Sequence, residues 1–149
     1  MFNTIVAGTD GSRNAEDALR VAAHLARSSP GSEVHVIAAF KPLSSRDLAA
    51  VAANIPDEFR MMLDPNYGVD STIESARSIF RTIDVEADFA EVNGDPTDAL
   101  LSAVDVHDAD LIVVGSRGEG PVRRAMHGSV STNVLHHAPC SVLVVKSEH

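Results

Sequence analysis

The stretch Leu111-Ile112-Val113-Val114-Gly115-Ser116-Arg117-Gly118, followed at a distance by Gly128-Ser129-Val130-Ser131-Thr132-Asn133-Val134, decides how this chain is read. Leu111–Val114 is a short apolar run that stops at glycine, the pattern of a buried strand. Residues 116–127 are rich in glycine, and a helix is expected from about Ser129 to His137, stopping before Pro139. Gly115, Gly118 and Gly128 make a G-x2-G-x9-G spacing followed by serine. Glycine at the carboxyl end of a strand permits a tight turn and a close approach of backbone to a ligand. Glycine and a hydroxyl at a helix start leave backbone N–H groups free, and these with the helix dipole bind phosphate. The stretch is neither a Walker loop, since Gly-Lys-Ser/Thr is missing, nor the dinucleotide fingerprint, whose spacing differs.

Working outward, Thr4–Gly8 reads as a second buried strand running into the turn Thr9-Asp10-Gly11-Ser12. Ser12 is placed to cap a helix over about 13–28, in which Ala15, Ala18, Leu19, Ala22, Leu25 and Ala26 share one face. Val34–Phe40 is a further strand, residues 70–81 a helix, Val85–Val92 a strand, and Val142–Lys146 the last strand. Asn93-Gly94-Asp95-Pro96 marks a turn and the start of a helix reaching about His107, with Asp95 as cap and Pro96 at the first helical position. Residues 41–68, with three prolines, are the candidate insertion and offer at most short helices around 45–53 and 57–63. Strands alternating with helices imply right-handed βαβ units and a mostly parallel sheet in a single domain spanning 1–149.

The totals set limits. A net charge of −9 argues against a general nucleic-acid binder, which needs a basic face to displace counterions. The charge is uneven: residues 56–110 hold 14 acidic and 3 basic side chains, whereas residues 115–137 hold 3 Arg and 1 Glu, so the basic stretch is the glycine-rich one. The lone cysteine, Cys140, excludes an intramolecular disulfide and reads as a small apolar side chain in a reducing compartment. The amino terminus has neither a basic start nor a long apolar stretch, and no apolar run approaches the ~20 residues of a membrane span. A cytoplasmic location without membrane insertion is expected. Val142-Leu143-Val144-Val145 carries no charge before Lys146, so if this strand lies at a sheet edge it needs a cover, either a helix or loop or a second copy of the chain.

The whole arrangement resembles the ATP-binding branch of the universal stress protein family, from Val6-Ala7-Gly8-Thr9-Asp10-Gly11-Ser12 through Gly94-Asp95-Pro96 to the glycine motif and Ala138-Pro139-Cys140-Ser141-Val142. The resemblance implies a doubly wound α/β fold with a five-stranded parallel sheet in the order 3-2-1-4-5, helices on both faces, and dimerisation through strand 142–146. The strands that end at Gly8–Asp10 and at Val114–Gly115 would then be neighbours where the winding reverses, the usual ligand crevice of such sheets. Carried over position by position, Gly8, Thr9 and Asp10 would border a nucleotide. Asp10 would hold ribose hydroxyls or help organise a Mg²⁺, although its strand-end position suits a turn cap equally. Ala39 would offer backbone groups to adenine, and Val114 and Gly115 would line base and ribose. Gly118, Gly128, Ser129 and Val130 would contact phosphates. Gly8 stands where some ATP-binding relatives have proline, and Arg117 occupies a variable position where it either adds phosphate affinity or faces water.

Three functions follow from different classes. The first is a regulatory module of stress physiology that binds ATP with Mg²⁺. The second is a dedicated ATPase or phosphotransferase, for which a P-loop lysine and a clear general base are missing, so that at most slow hydrolysis is expected. The third is a nucleotide-free interaction protein of the same fold. His127 reads as a loop histidine without a catalytic companion, and the adjacent His136 and His137 cannot share one helix face.

Overall fold

A computed structural model describes residues 1–40, 44–63, 69–116 and 129–148. The strands are β1 (Thr4–Thr9), β2 (Glu33–Phe40), β3 (Asp88–Asn93), β4 (Leu111–Gly115) and β5 (Ser141–Val145). The helices are α1 (Arg13–Arg27), α2 (Ser45–Ala52), α3 (Val69–Ile83), α4 (Pro96–His107) and α5 (Ser129–His137), with a 3-10 segment at Asp57–Leu63. All strand pairs are parallel, and the sheet order is β3-β2-β1-β4-β5. This is the order the resemblance implied.

Apolar alternation places the helices. Ile5 and Ala7 face one side of β1, where with Val34, Val36, Leu111 and Val113 they pack under α1 and α3. Val6, Ile37, Ile112 and Val114 face the other side and pack under α4 and α5. Successive residues of a strand point to opposite faces, so the all-apolar β1 and β4 are what a sheet covered on both sides requires. The face of α1 read from spacing is buried as expected, with Leu25 only partly covered and Ala23 added. Its cap is Ser12, whose Oγ accepts from the Ala15 N–H at 3.2 Å. Asp95 caps α4 likewise, accepting from the Asp98 N–H at 3.1 Å, and Pro96 opens the helix.

One boundary differs from expectation. The strand expected from Val85 pairs only from Asp88. Continuing the observed register, in which His35 lies beside Asp88, would set Glu86 beside Glu33. Like charges side by side disfavour pairing, and Val85 and Ala87 pack against the core under α3 instead. At the other edge, β5 repeats the apolar character of β4 but is only half-buried, whereas Leu111–Val114 are fully buried. Among the described residues no helix is long and apolar enough to cross a membrane.

Candidate functional site

β1 has β2 on one side and β4 on the other, so the chain winds away from β1 in opposite directions. Such a reversal opens a crevice at the carboxyl ends of the strands. A cavity of about 110 Å³ lies there. Gly8, Thr9 and Asp10 line it from the end of β1, Val114 and Gly115 from the end of β4, and Ala39 from β2. Val130 closes it from the first turn of α5. Seven residues chosen from the sequence therefore meet around one space. Ser129 is the first residue of α5, while Arg117, Gly118 and Gly128 lie outside the described residues, as does His127.

Four lining residues escaped the sequence reading: Ala15, Ile37, Pro96 and Leu100. Ile37 was within reach, because it shares a strand face with Ala39 at a spacing of two. Pro96 and Leu100 are four apart on α4 and so share a helix face. Spacing alone does not say that this face turns toward the ends of β1 and β4.

The cavity wall is built by close approaches. A Cβ on Gly115 would stand 2.9 Å from the backbone carbon and oxygen of Asn14, so glycine there lets the first turn of α1 press against the end of β4. A Cβ on Gly8 would meet both methyls of Leu100 at 3.1 Å. The turn after β1 is self-bonded: Thr9 Oγ1 accepts from the Gly11 N–H at 3.2 Å, and Asp10 Oδ1 accepts from the Ser12 N–H at 2.9 Å. Gly11 takes φ +80°, which L side chains rarely adopt. Asp10 thus does shape the turn, and its exposed carboxylate still borders the cavity.

The electrostatic setting follows from helix direction. Ala15, Pro96 and Val130 lie in the first turns of α1, α4 and α5, so three helix amino termini converge on one space. Each carries a partial positive charge and favours an anion. Apart from the Thr9 hydroxyl and the Asp10 carboxylate, the lining side chains are apolar.

Other polar groups serve elsewhere. Asp110, just before β4, accepts from the N–H groups of Asn3 at 2.9 Å and Thr4 at 3.0 Å, clamping the start of β1. The Asn3 N–H foremost, with the Thr4 N–H, holds its carboxyl below the ordinary value of 3.8 against the opposing effect of burial. Cys140 packs at the margin of the core under α4 and α5. Burial first, and the Asp110 charge second, pushes its thiol above the ordinary range. That holds it as the thiol and agrees with an apolar role. His137 Nδ1 lies 2.8 Å from the Asn133 carbonyl oxygen, a contact that turns the ring back along its own helix.

Comparison with known proteins agrees with this geometry. The model of the universal stress protein family matches residues 1–146. The universal stress protein YxiE of Bacillus subtilis is 32% identical over 150 residues, covering 98% of this chain and 100% of that protein. Among solved structures, a universal stress protein in complex with cAMP superposes with a TM-score of 0.72 at 28% identity, covering 99% of each chain. The Archaeoglobus fulgidus universal stress protein in complex with dAMP gives a TM-score of 0.65 at 26% identity, covering 98% of each chain.

Proposed function

The chain belongs to the universal stress protein family, and on that premise we propose that its cavity binds ATP with Mg²⁺ and that the chain acts as a regulatory module of the stress response. One observation carries the reading. Residues picked from four separate strands and helices meet at the switch point of the sheet, around an apolar space on which three helix amino termini converge. An apolar slot suits a flat base, and the helix termini suit phosphate. Relatives that hold cAMP and dAMP support the adenine part.

In this reading the backbone at Ala39 meets the adenine edge, while Val114 and Gly115 pack against base and ribose. Gly8 and Thr9 floor the slot. Asp10 would hold the ribose hydroxyls or, as the one carboxylate of the lining, help hold Mg²⁺. Arg117, Gly118, Gly128, Ser129 and Val130 serve the phosphates. Mg²⁺, when bound, would supply charge neutralisation for the phosphates. Asp10, the one carboxylate of the described lining, is taken up by ribose or Mg²⁺ in this reading, so slow hydrolysis at most is expected of this site. The whole chain works as one nucleotide-binding unit in the cytoplasm, with 41–68 as a variable segment.

The half-buried β5 is proposed as the pairing edge of a homodimer, because four apolar residues there lack the cover that β4 enjoys. Sedimentation equilibrium should give the dimer mass, and a monomer at all concentrations would remove that proposal.

The deciding test is to denature the purified protein and separate what it releases, then to titrate the emptied protein with Mg-ATP, AMP and cyclic AMP by calorimetry. Release of ATP or ADP, or tightest binding of Mg-ATP, supports the reading. Preference for a monophosphate moves the assignment to AMP or cyclic AMP. No binding of any of them favours the nucleotide-free interaction module.

A further inference from the structure

A second cavity, of about 500 Å³, opens at the amino ends of β2 and β3, under the second half of α3. The cavity described above lies at the carboxyl ends of the strands and shares no lining residue with it. A break in pairing makes the second one. β2 pairs with β1 from Glu33 but with β3 only from His35. The Glu33 N–H donates to the Asn3 carbonyl at 2.8 Å, on the β1 side. Successive residues of a strand aim their backbone groups at opposite neighbours, so the Val34 N–H points to the β3 side. There the ladder begins only at Asp88, and the Glu86 carbonyl that would extend it does not accept this N–H. Val34 is 2% exposed and lines the cavity. Buried N–H groups are almost always paired, so an acceptor in the cavity would meet an unmet donor.

The side chains on the α3 side are of two kinds. Val34, Phe80, Val85 and Phe89 are apolar and belong to the core under α3. Phe80 and Phe89 meet edge to face, with centroids 5.7 Å apart. Over the Phe89 ring lies the Arg77 guanidinium, its Cζ 4.7 Å from the centroid. Such a stack uses the flat face of the guanidinium and leaves its N–H edge for a carboxylate. Among the described residues no carboxylate lies within 4 Å of Arg77, whereas Arg81, one turn on, holds Glu74 at 3.3 Å. The acidic residues of the lining are turned elsewhere. The Glu33 and Asp88 carboxylates lie 3.7 and 3.5 Å from nitrogens of His35, whose ring stacks on His107 of α4 on the opposite side of the sheet. Glu86 is exposed.

We propose that this cavity binds a small monocarboxylic acid with an aromatic or branched apolar body. Its carboxylate lies on Arg77, with the Val34 N–H as a second donor, and its body packs against Phe80 and Val85. The unsatisfied groups on this side are donors, which suits an acceptor-only anion. The apolar walls suit a body that water solvates poorly, and the volume falls in the range of about 300–1,000 Å³ usual for small-ligand sites.

Charge also sets what is refused. Glu33, Glu86 and Asp88 border the same space and repel a second negative charge, so a dicarboxylate or a phosphate ester fits less well than a monocarboxylate. An apolar amine meets Arg77 and the Val34 N–H with no acceptor to offer. The site stands whether or not the nucleotide reading holds, since the two cavities have no residue in common.

The test is to titrate the isotope-labelled full chain with 3-phenylpropionate, phenylsuccinate and phenethylamine, which share one aromatic body, and to follow the backbone amide and arginine Nε signals. 3-Phenylpropionate should saturate, with the Val34 amide and the Arg77 Nε–H among the signals that move furthest. Phenylsuccinate and phenethylamine should bind more weakly. Arg77→Gln should weaken 3-phenylpropionate about tenfold, the order expected for a lost hydrogen bond to a charged group, and Arg77→Lys should fall between the two. No saturable shift with 3-phenylpropionate would overturn the site. So would equal binding of the acid and the amine, or an unchanged affinity in Arg77→Gln. Shifts confined to Gly8, Gly115 and their neighbours would put the acid in the other cavity and also overturn it. If Arg77→Gln fails to fold, the wild-type titrations decide alone, by the order of the three compounds and by whether the Val34 amide moves.

Discussion

Gly115 shows how one missing methyl positions a site. The atoms that a Cβ would meet, the Asn14 carbonyl carbon and oxygen at 2.9 Å and the Ala15 nitrogen at 3.2 Å, are all backbone, so they cannot step aside by a rotamer change. Gly115→Ala should therefore cost about 1–3 kcal/mol, the range for overpacking a close contact, read from urea midpoints. A variant within about 0.5 kcal/mol of wild type would show that α1 yields more easily than this packing implies. Asp110 works through charge instead. Its carboxyl is held low by the N–H groups of Asn3 and Thr4. For a carboxylate held low in the folded state, the stabilisation is complete above the ordinary value of 3.8 and is lost as pH falls through the lower folded value. Wild type should thus lose stability more steeply than Asp110→Asn on acidification below about pH 5. The variant should be weaker at pH 7 by about 1 kcal/mol, discounted for the exposure of the carboxylate. Parallel acid denaturation curves for the two would remove Asp110 as a clamp.

At the scale of the element, local chemistry decides most of the outcome. Ser12 and Asp95 were legible as caps because a cap needs only its own next turn, and both side chains do accept from the N–H three residues on. Ser12→Ala should lower stability by about 1 kcal/mol. Circular dichroism at the urea midpoint would show it, and a cost no larger than a surface substitution would mean that the Asp10 turn caps α1 alone. The start of β3 was not legible, because it depends on which residue of β2 lies alongside, and the sequence does not announce that register. Pro96 and Leu100 were missed for a related reason: a helix shows which residues share its face, not which crevice that face meets. The spacing of glycines 115, 118 and 128 reads as a phosphate motif, and the last two lie outside the described residues. The structural reason for the first of them, contact with the α1 backbone, needed the neighbouring element.

Across the whole molecule, binding and stability are one equilibrium. A ligand that binds only the folded chain stabilises it by RT ln(1 + [L]/Kd), about 2.7 kcal/mol at a hundredfold excess over Kd. For a chain near 150 residues each kcal/mol moves Tm by about 2–4 °C, so saturating Mg-ATP should raise Tm by about 5–10 °C. Gly128→Val tests whether that stabilisation enters through the proposed phosphate end, since a β-branched side chain there would fill the space the phosphates need. The variant should melt near the wild-type Tm without ligand and show no shift with Mg-ATP, while cyclic AMP and AMP run alongside separate the triphosphate reading from a monophosphate one. An equal shift in both proteins would place nucleotide elsewhere on the chain. A variant that melts far below wild type without ligand would instead make Gly128 a requirement of the fold, and the question would pass to Asp10→Ala. That carboxylate borders the same cavity from β1, and its loss should weaken Mg-ATP more than it weakens nucleotide without the metal.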